Sequence, residues 1–247
     1  MELGLTGRLA IVTGASKGIG AATARLLATE GCDTVLVARS EAQLKRTADR
    51  IAAETGRAVT PWPADLSKPE EAVRVARKWS HADILVNNAG AIPGGRLEDV
   101  DDPTWRAAWD LKVFGYINMT RHMFAAMSAR GDGVIVNVLG AAAQTRDPTY
   151  ICGVTGNAAL TAFTMSLGSD SHRHGVRVVG VSPGPVATER LTELGGSVQT
   201  SAARPFGRAA DPVEIASAVV FFGSPASGYT SGTVLMVDGG LSARAAL

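Results

Sequence analysis

The feature that most limits the fold of this chain is an alternation. Short apolar runs rich in Val, Ile and Leu recur along it, and stretches of helical character separate them. The runs fall at residues 8–13, 33–38, 58–63, 83–87, 133–139, 176–181 and 233–237. Helical stretches follow the first run to about residue 30, then cover 41–54, 69–79, about 103–129, a segment through 157 to 170, and 212–222. Nearly continuous apolar strands between helices predict a parallel sheet covered on both faces. Right-handed crossovers make it a doubly wound, Rossmann-like α/β sheet. No repeat, low-complexity tract or linker divides residues 1–247, so a single domain is expected. Pro61 and Pro63 suit the third run only to a sheet edge or end. Asp102 is the expected cap of the 103–129 helix, with Pro103 at its first position. The irregular segment 182–211 is the expected lid.

Composition narrows the function classes. At 46% hydrophobic and 19% charged residues, the chain can bury a sizeable core. Its 24 basic and 23 acidic side chains leave a net charge of +1, which gives no reason to expect nucleic acid or an anionic membrane as partner. No uncharged apolar run approaches the ~18 residues of a membrane span. Residues 1–10 lack the charged-then-apolar order of a secretory signal. Cys32 and Cys152 make no disulfide framework, so a cytoplasmic protein with free thiols is expected.

The first run ends in Thr13-Gly14-Ala15-Ser16-Lys17-Gly18-Ile19-Gly20. Glycines at these places let the backbone turn tightly and approach a pyrophosphate. The helix beginning there offers free N–H groups and a positive dipole end. An acidic side chain about 20 residues further on would accept ribose hydroxyls and favour NAD. The second run instead ends Val37-Ala38-Arg39-Ser40. Arg39 can fork onto a phosphate, and Lys17 adds a second cation.

These residues resemble the short-chain dehydrogenase/reductase family, which uses this T-G-x-x-x-G-x-G spacing. Asp65-Leu66 matches the pair its members place beside adenine. Asn87-Asn88-Ala89-Gly90 matches its N-N-A-G motif, Pro183-Gly184-Pro185-Val186-Ala187-Thr188 the segment that holds the nicotinamide, and Val237-Asp238-Gly239-Gly240 the usual ending. The resemblance implies an oxidoreductase of carbonyls or alcohols with a small-molecule substrate and no metal. It implies cofactor contacts from Gly14, Ser16, Lys17, Gly18, Ile19, Gly20, Arg39, Asp65, Leu66, Asn88, Ala89, Gly90, Asn157, Pro183, Gly184, Val186 and Thr188. Lys17 with Arg39 looks like the NADP pattern, with NAD less favoured. A homodimer or homotetramer through the long helix and the Asn157 helix is also implied.

The resemblance breaks at the chemical end. Family members use a Ser, a Tyr and a Lys, helped by an Asn. Val134-Ile135-Val136-Asn137-Val138-Leu139-Gly140 looks like the family's I-V-N-V-S-S, with the functional Ser falling on Gly140. Asn157-Ala158-Ala159-Leu160 looks like K-A-A-L, which puts Asn157 at the Lys and Gly153 at the Tyr. Both anchors agree on the family's Ser-to-Tyr spacing of thirteen. Counting from Trp105, the Asn falls on Lys112. An ammonium therefore moves from one helix to its neighbour, and Lys112 and Asn157 are expected to form a polar pair below the nicotinamide ribose. The alternative is that Lys112 snorkels to the surface and Asn157 caps backbone. Tyr150, one turn before Gly153, can swing its phenol into the space left there, or stand as a structural residue at a loop–helix junction. Lys112, Asn157 and Tyr150 are the catalytic candidates.

Losing a positioned proton carrier removes a factor of about 10²–10⁴, so three readings stay open. They are an NADP-dependent oxidoreductase with a rearranged site, a non-redox enzyme such as a lyase or hydrolase on the same scaffold, and a non-catalytic dinucleotide-binding protein. Cys152 is expected as a packing residue, and His172 and His174 before Gly175 as a helix end. The loop near 191–206 carries no interpretable chemistry.

Overall fold

β-branched side chains are stiff and pack well on a pleated surface. The runs dense in them are strands in the computed structural model, which describes residues 2–194 and 204–244. The strands are β1 (Leu9–Thr13), β2 (Asp33–Ala38), β3 (Val59–Pro63), β4 (Ile84–Asn87), β5 (Gly133–Val138), β6 (Val176–Pro183) and β7 (Val234–Val237). All neighbours pair in parallel in one seven-stranded sheet of order β3-β2-β1-β4-β5-β6-β7. The prolines of β3 lie on an edge strand, where a missing donor is tolerated.

The helices are α1 (Gly18–Thr29), α2 (Glu41–Thr55), α3 (Pro69–Lys78), α4 (Asp102–Trp109), α5 (Gly115–Arg130), α6 (Ala142–Thr145), α7 (Ile151–Asp170), α8 (Glu189–Glu193), α9 (Pro212–Gly223) and α10 (Leu241–Arg244). Strand side chains point alternately to the two faces. Ala10 and Val12 of β1 pack with residues of α1, α2 and α9, whereas Ile11 packs with residues of α3 and α5. The sheet is thus covered on both faces, and the doubly wound α/β fold is the one the alternation predicts.

The long helix expected over 103–129 is two helices. A π-turn, Asp110–Phe114, joins α4 to α5. The cap also moves by one residue. Asp101 accepts from the Thr104 amide at 2.9 Å, and Pro103 takes the second helical position. His172 and His174 lie in a short 3₁₀ turn closed by Gly175 at φ 67°, as expected of a helix end. No helix of the described residues is long and apolar enough to cross a membrane.

β1 pairs with β2 on one side and with β4 on the other. The strand order reverses there, and the carboxyl ends of β1 and β4 flank a crevice of the kind that takes ligands in such sheets. Buried side chains tie its floor together. Thr13 Oγ1 donates to Val86 O at 3.2 Å and accepts from the Asn88 and Ala89 amides at 2.8 and 3.1 Å. Asn87 donates to Asn137 Oδ1 at 2.9 Å and to Thr120 at 3.0 Å, and Asn137 donates to Thr164 at 2.9 Å. This chain of amides and hydroxyls fixes β4 and β5 against α5 and α7; Lys112 lies just before α5, Tyr150 just before α7, and Asn157 within α7.

Candidate active site

The crevice opens into a cleft of about 1850 Å³, beyond the ~300–1,000 Å³ typical of one small ligand. At one end lies the glycine-rich turn. Gly14 has φ 65°, and a Cβ there would come within 2.9 Å of Ala89 Cα. A Cβ on Gly20 would sit 2.4 Å from Gly14 O. Only glycine allows the turn to fold back on itself and onto the end of β4. Lys17 caps α1 in extended conformation with no side-chain cap bond, so the first N–H groups of α1 are left for a ligand. Thr188 packs over Gly18, its Cγ2 3.3 Å from where a Cβ would be. These features fit the pyrophosphate of a dinucleotide.

The residues expected at the cofactor line this cleft, with two exceptions. Gly20 lies beneath the turn and serves packing. The Asp65 carboxylate accepts from the Ser67 amide at 3.2 Å and hydroxyl at 2.8 Å, and its neighbours Ala64 and Leu66 form the wall instead. Arg39 is exposed at the end of β2 and lines the cleft. Lys17, the second expected phosphate ligand, is already engaged: its ammonium lies 2.6 Å from Glu189 and 3.5 Å from Glu193 of α8.

The other end is built on the π-turn. Such turns reposition side chains within a helix and recur at functional sites. Here the turn sends Lys112 across the cleft floor, where its stem packs on Gly90; a Cβ at Gly90 would be 3.0 Å from Lys112 Cδ. The ammonium donates to Leu139 O at 3.2 Å and lies 5.9 Å from the centre of the Tyr116 ring. Burial pulls Lys112 down to about 8, and the positive charge of Arg190 adds to the effect. The side chain therefore faces the cleft rather than snorkelling to the outer surface.

Asn157 is 2% exposed and donates from Nδ2 to Gly153 O at 2.8 Å. No bond joins it to Lys112. In place of the direct pair expected from the sequence, the two side chains make separate carbonyl contacts, Lys112 with Leu139 O and Asn157 with Gly153 O. Asn157 Oδ1 is buried with no hydrogen-bond partner among the described residues.

The two glycine gaps are refilled. A Cβ at Gly153 would fall 2.1 Å from Tyr150 Cε1, so the phenol ring occupies that space. A Cβ at Gly140 would lie 3.0 Å from Asn157 Nδ2. Tyr150 precedes α7 as its cap and lines the cleft. Burial raises its pKa, against the opposing pull of the neighbouring Arg190 guanidinium. Cys152 is fully buried with Ile92 and Ala108, and burial pushes its thiol up, as suits a packing residue. No group of three metal-ligating side chains occurs among the described residues.

Arg190 is the site residue that the sequence did not reveal. It stands on α8, a five-residue helix in the segment expected as a lid. It donates through Nη2 to Ile92 O, 98 positions away in the chain, and through Nη1 to Glu193 at 3.1 Å. The segment is pinned at its base, where the Ala187 amide donates to Ala210 O at 2.8 Å and the Ala210 amide to Pro185 O at 2.9 Å. Residues 195–203 of the loop that carried no interpretable chemistry lie outside the described residues.

A parallel sheet with a large cleft at its switch point is the arrangement of the class of ligand-binding doubly wound α/β proteins. Comparison with known proteins narrows it. Residues 14–242 match the family model described as enoyl-(acyl carrier protein) reductase. The chain is 36% identical to cis-4-hydroxycyclohexanecarboxylate dehydrogenase of Sinomonas cyclohexanicum, over 96% of this chain and 97% of that protein. It superimposes on a solved short-chain dehydrogenase/reductase family protein with a TM-score of 0.90 at 36% identity, covering 98% of this chain and 100% of the other. It also superimposes on L-sorbose reductase of Gluconobacter frateurii, solved with NADPH and L-sorbose, with a TM-score of 0.89 at 31% identity over 98% and 99% of the two chains. The chain belongs to the short-chain dehydrogenase/reductase family, oxidoreductases of alcohols and carbonyls.

Proposed function

We propose that this protein is an NADP-dependent oxidoreductase that interconverts a carbonyl and an alcohol, with Lys112 as its proton carrier in a rearranged site. The observation that carries this reading is the Lys112 ammonium on the cleft floor, held by Leu139 O and brought to about 8 by burial. A general acid–base works best when its pKa lies near the working pH, and Gly140 and Gly153 themselves carry no proton-transferring side chain.

When bound, the nicotinamide supplies or takes the hydride at the carbonyl carbon. In reduction, Lys112 Nζ gives its proton to the oxygen that becomes the hydroxyl. In oxidation, the neutral amine takes that proton back. The Tyr150 phenol, raised by burial, stays protonated and donates a hydrogen bond to the same region. The free Oδ1 of Asn157 offers an acceptor to a ribose hydroxyl. Support for NADP comes from Arg39, which lines the cleft where an NAD site would want an acid, and from the NADPH bound by the L-sorbose reductase. Association into a homodimer or homotetramer belongs to the same reading.

The test follows absorbance at ~340 nm with NADPH over a panel of cyclic oxo acids and ketoses, the compounds its relatives suggest. Oxidation of NADPH by some member is the expected result, and Arg39→Asp should weaken NADPH far more than NADH. NADPH binding without turnover of any compound would leave a dinucleotide-binding protein. Product formed with no change in the nicotinamide would leave a non-redox enzyme.

A further inference from the structure

Arg190 enters the cleft, yet the chemistry proposed above does not use it. Its guanidinium donates to Ile92 O and sits beside the Tyr150 phenol. Lys112 and Arg190 both line the cleft, and the charge of Arg190 is felt by Lys112. Two cations therefore converge on one half-buried floor. The acids nearby answer these cations only in part, from the outer side of α8. Glu189 and Glu193 lie exposed on α8 and pair with Lys17, and Glu193 also meets the outer Nη1 of Arg190. Asp147 accepts from the Thr149 amide at 2.8 Å and hydroxyl at 2.6 Å.

Like charges facing each other in a poorly solvated site disfavour one another, and an anion placed between them relieves both. A guanidinium presents a planar fork that matches a carboxylate, whereas an ammonium acts as a point donor to a single oxygen. The two groups differ in the way a ligand with an acid at one end and a carbonyl or hydroxyl at the other requires. We propose that Arg190 binds an acid group of the substrate, which makes the substrates oxo- or hydroxycarboxylates. This inference rests on the oxidoreductase reading and deepens it. α8 thereby serves as a specificity element, since the residue that selects the substrate rides on the same short helix that latches to the glycine-rich turn through Lys17.

The test compares oxo acids of four to eight carbons, each paired with its own methyl ester, in the wild-type enzyme and in Arg190→Met and Arg190→Lys. The acid should be the better substrate, and Arg190→Met should cut the acid-over-ester ratio of kcat/KM about 10–100-fold, with Arg190→Lys restoring part of it. Esters used as well as acids, or a ratio untouched by Arg190→Met, would overturn the proposal. A second arm needs no turnover. Hexanoate and hexanamide are titrated calorimetrically into the NADPH complex of each form. Hexanoate binding that weakens in Arg190→Met, with none from hexanamide, supports the acid site; equal behaviour of the two ligands, or no hexanoate binding, overturns it. If hexanoate binds through Arg190 while no oxo compound consumes NADPH, the oxidoreductase reading fails and the acid site stands.

Discussion

An exposed lysine keeps its proton to about pH 10. On this floor Lys112 is brought to about 8, first by burial and then by Arg190. The direction matters for catalysis. Below 8 the ammonium predominates and can give a proton; above 8 the amine predominates and can take one. Reduction should therefore slow as pH rises through about 8, and oxidation should speed up. Initial rates in both directions between about pH 6 and 10 check this. Lys112→Met should lower both by about 10²–10⁴ and abolish the inflection, while NADPH still binds. An inflection that survives in Lys112→Met would assign the proton to another group, with Tyr150 the first to examine. The neighbouring Tyr116 is fully buried and donates to Val138 O at 2.8 Å, which leaves its hydroxyl no access to a substrate.

Among the elements, α7 lies close against the sheet at Gly168. A Cβ on Gly168 would lie 2.4 Å from Gly232 N and 2.5 Å from Val178 O. Both atoms are backbone, so nothing can turn aside. Overpacking of this kind costs about 1–3 kcal/mol, more than the ~1 kcal/mol that alanine gains over glycine in a helix. Gly168→Ala should lower Tm by several degrees in a calorimetric scan, and an unchanged Tm would mean that α7 can slide on the sheet. The strands were legible in the sequence because short apolar runs such as Ala10-Ile11-Val12 recur between helical stretches, the pattern of strands buried between two helical layers. The glycine-rich turn was legible because its spacing answers to a backbone requirement. The split of the long helix was not, since Asp110-Leu111-Lys112-Val113-Phe114 carries no proline or glycine to mark a π-turn. Nor was the role of Arg190, which depends on a contact with Ile92 that no local pattern encodes. Lys112 was legible as a candidate only through the family alignment; the carbonyl it meets came from the fold.

At the scale of the whole molecule, Phe114 and Met165 expose 49% and 48% of their surface. They stand on the π-turn and on α7, elements that pack together through Val113 and Leu160, with Tyr116 of α5 in the same cluster. Large apolar side chains left open on adjoining elements suit a contact with a second copy, the association proposed for this protein through α5 and α7. Such a contact would bear on catalysis, because Phe114 is two residues from Lys112 on the same turn. Covering Phe114 would hold the turn, and with it the ammonium at Leu139 O. Met165→Glu places a charge in that contact without touching the cleft. Light scattering should show the wild-type protein as a dimer or tetramer and the variant as a smaller species. Turnover in the variant should fall more than NADPH affinity, because the glycine-rich turn lies across the sheet on α1 while the π-turn loses its support. A wild-type protein that scatters as a monomer, or a variant that dissociates with its turnover intact, would separate the assembly from the placement of Lys112.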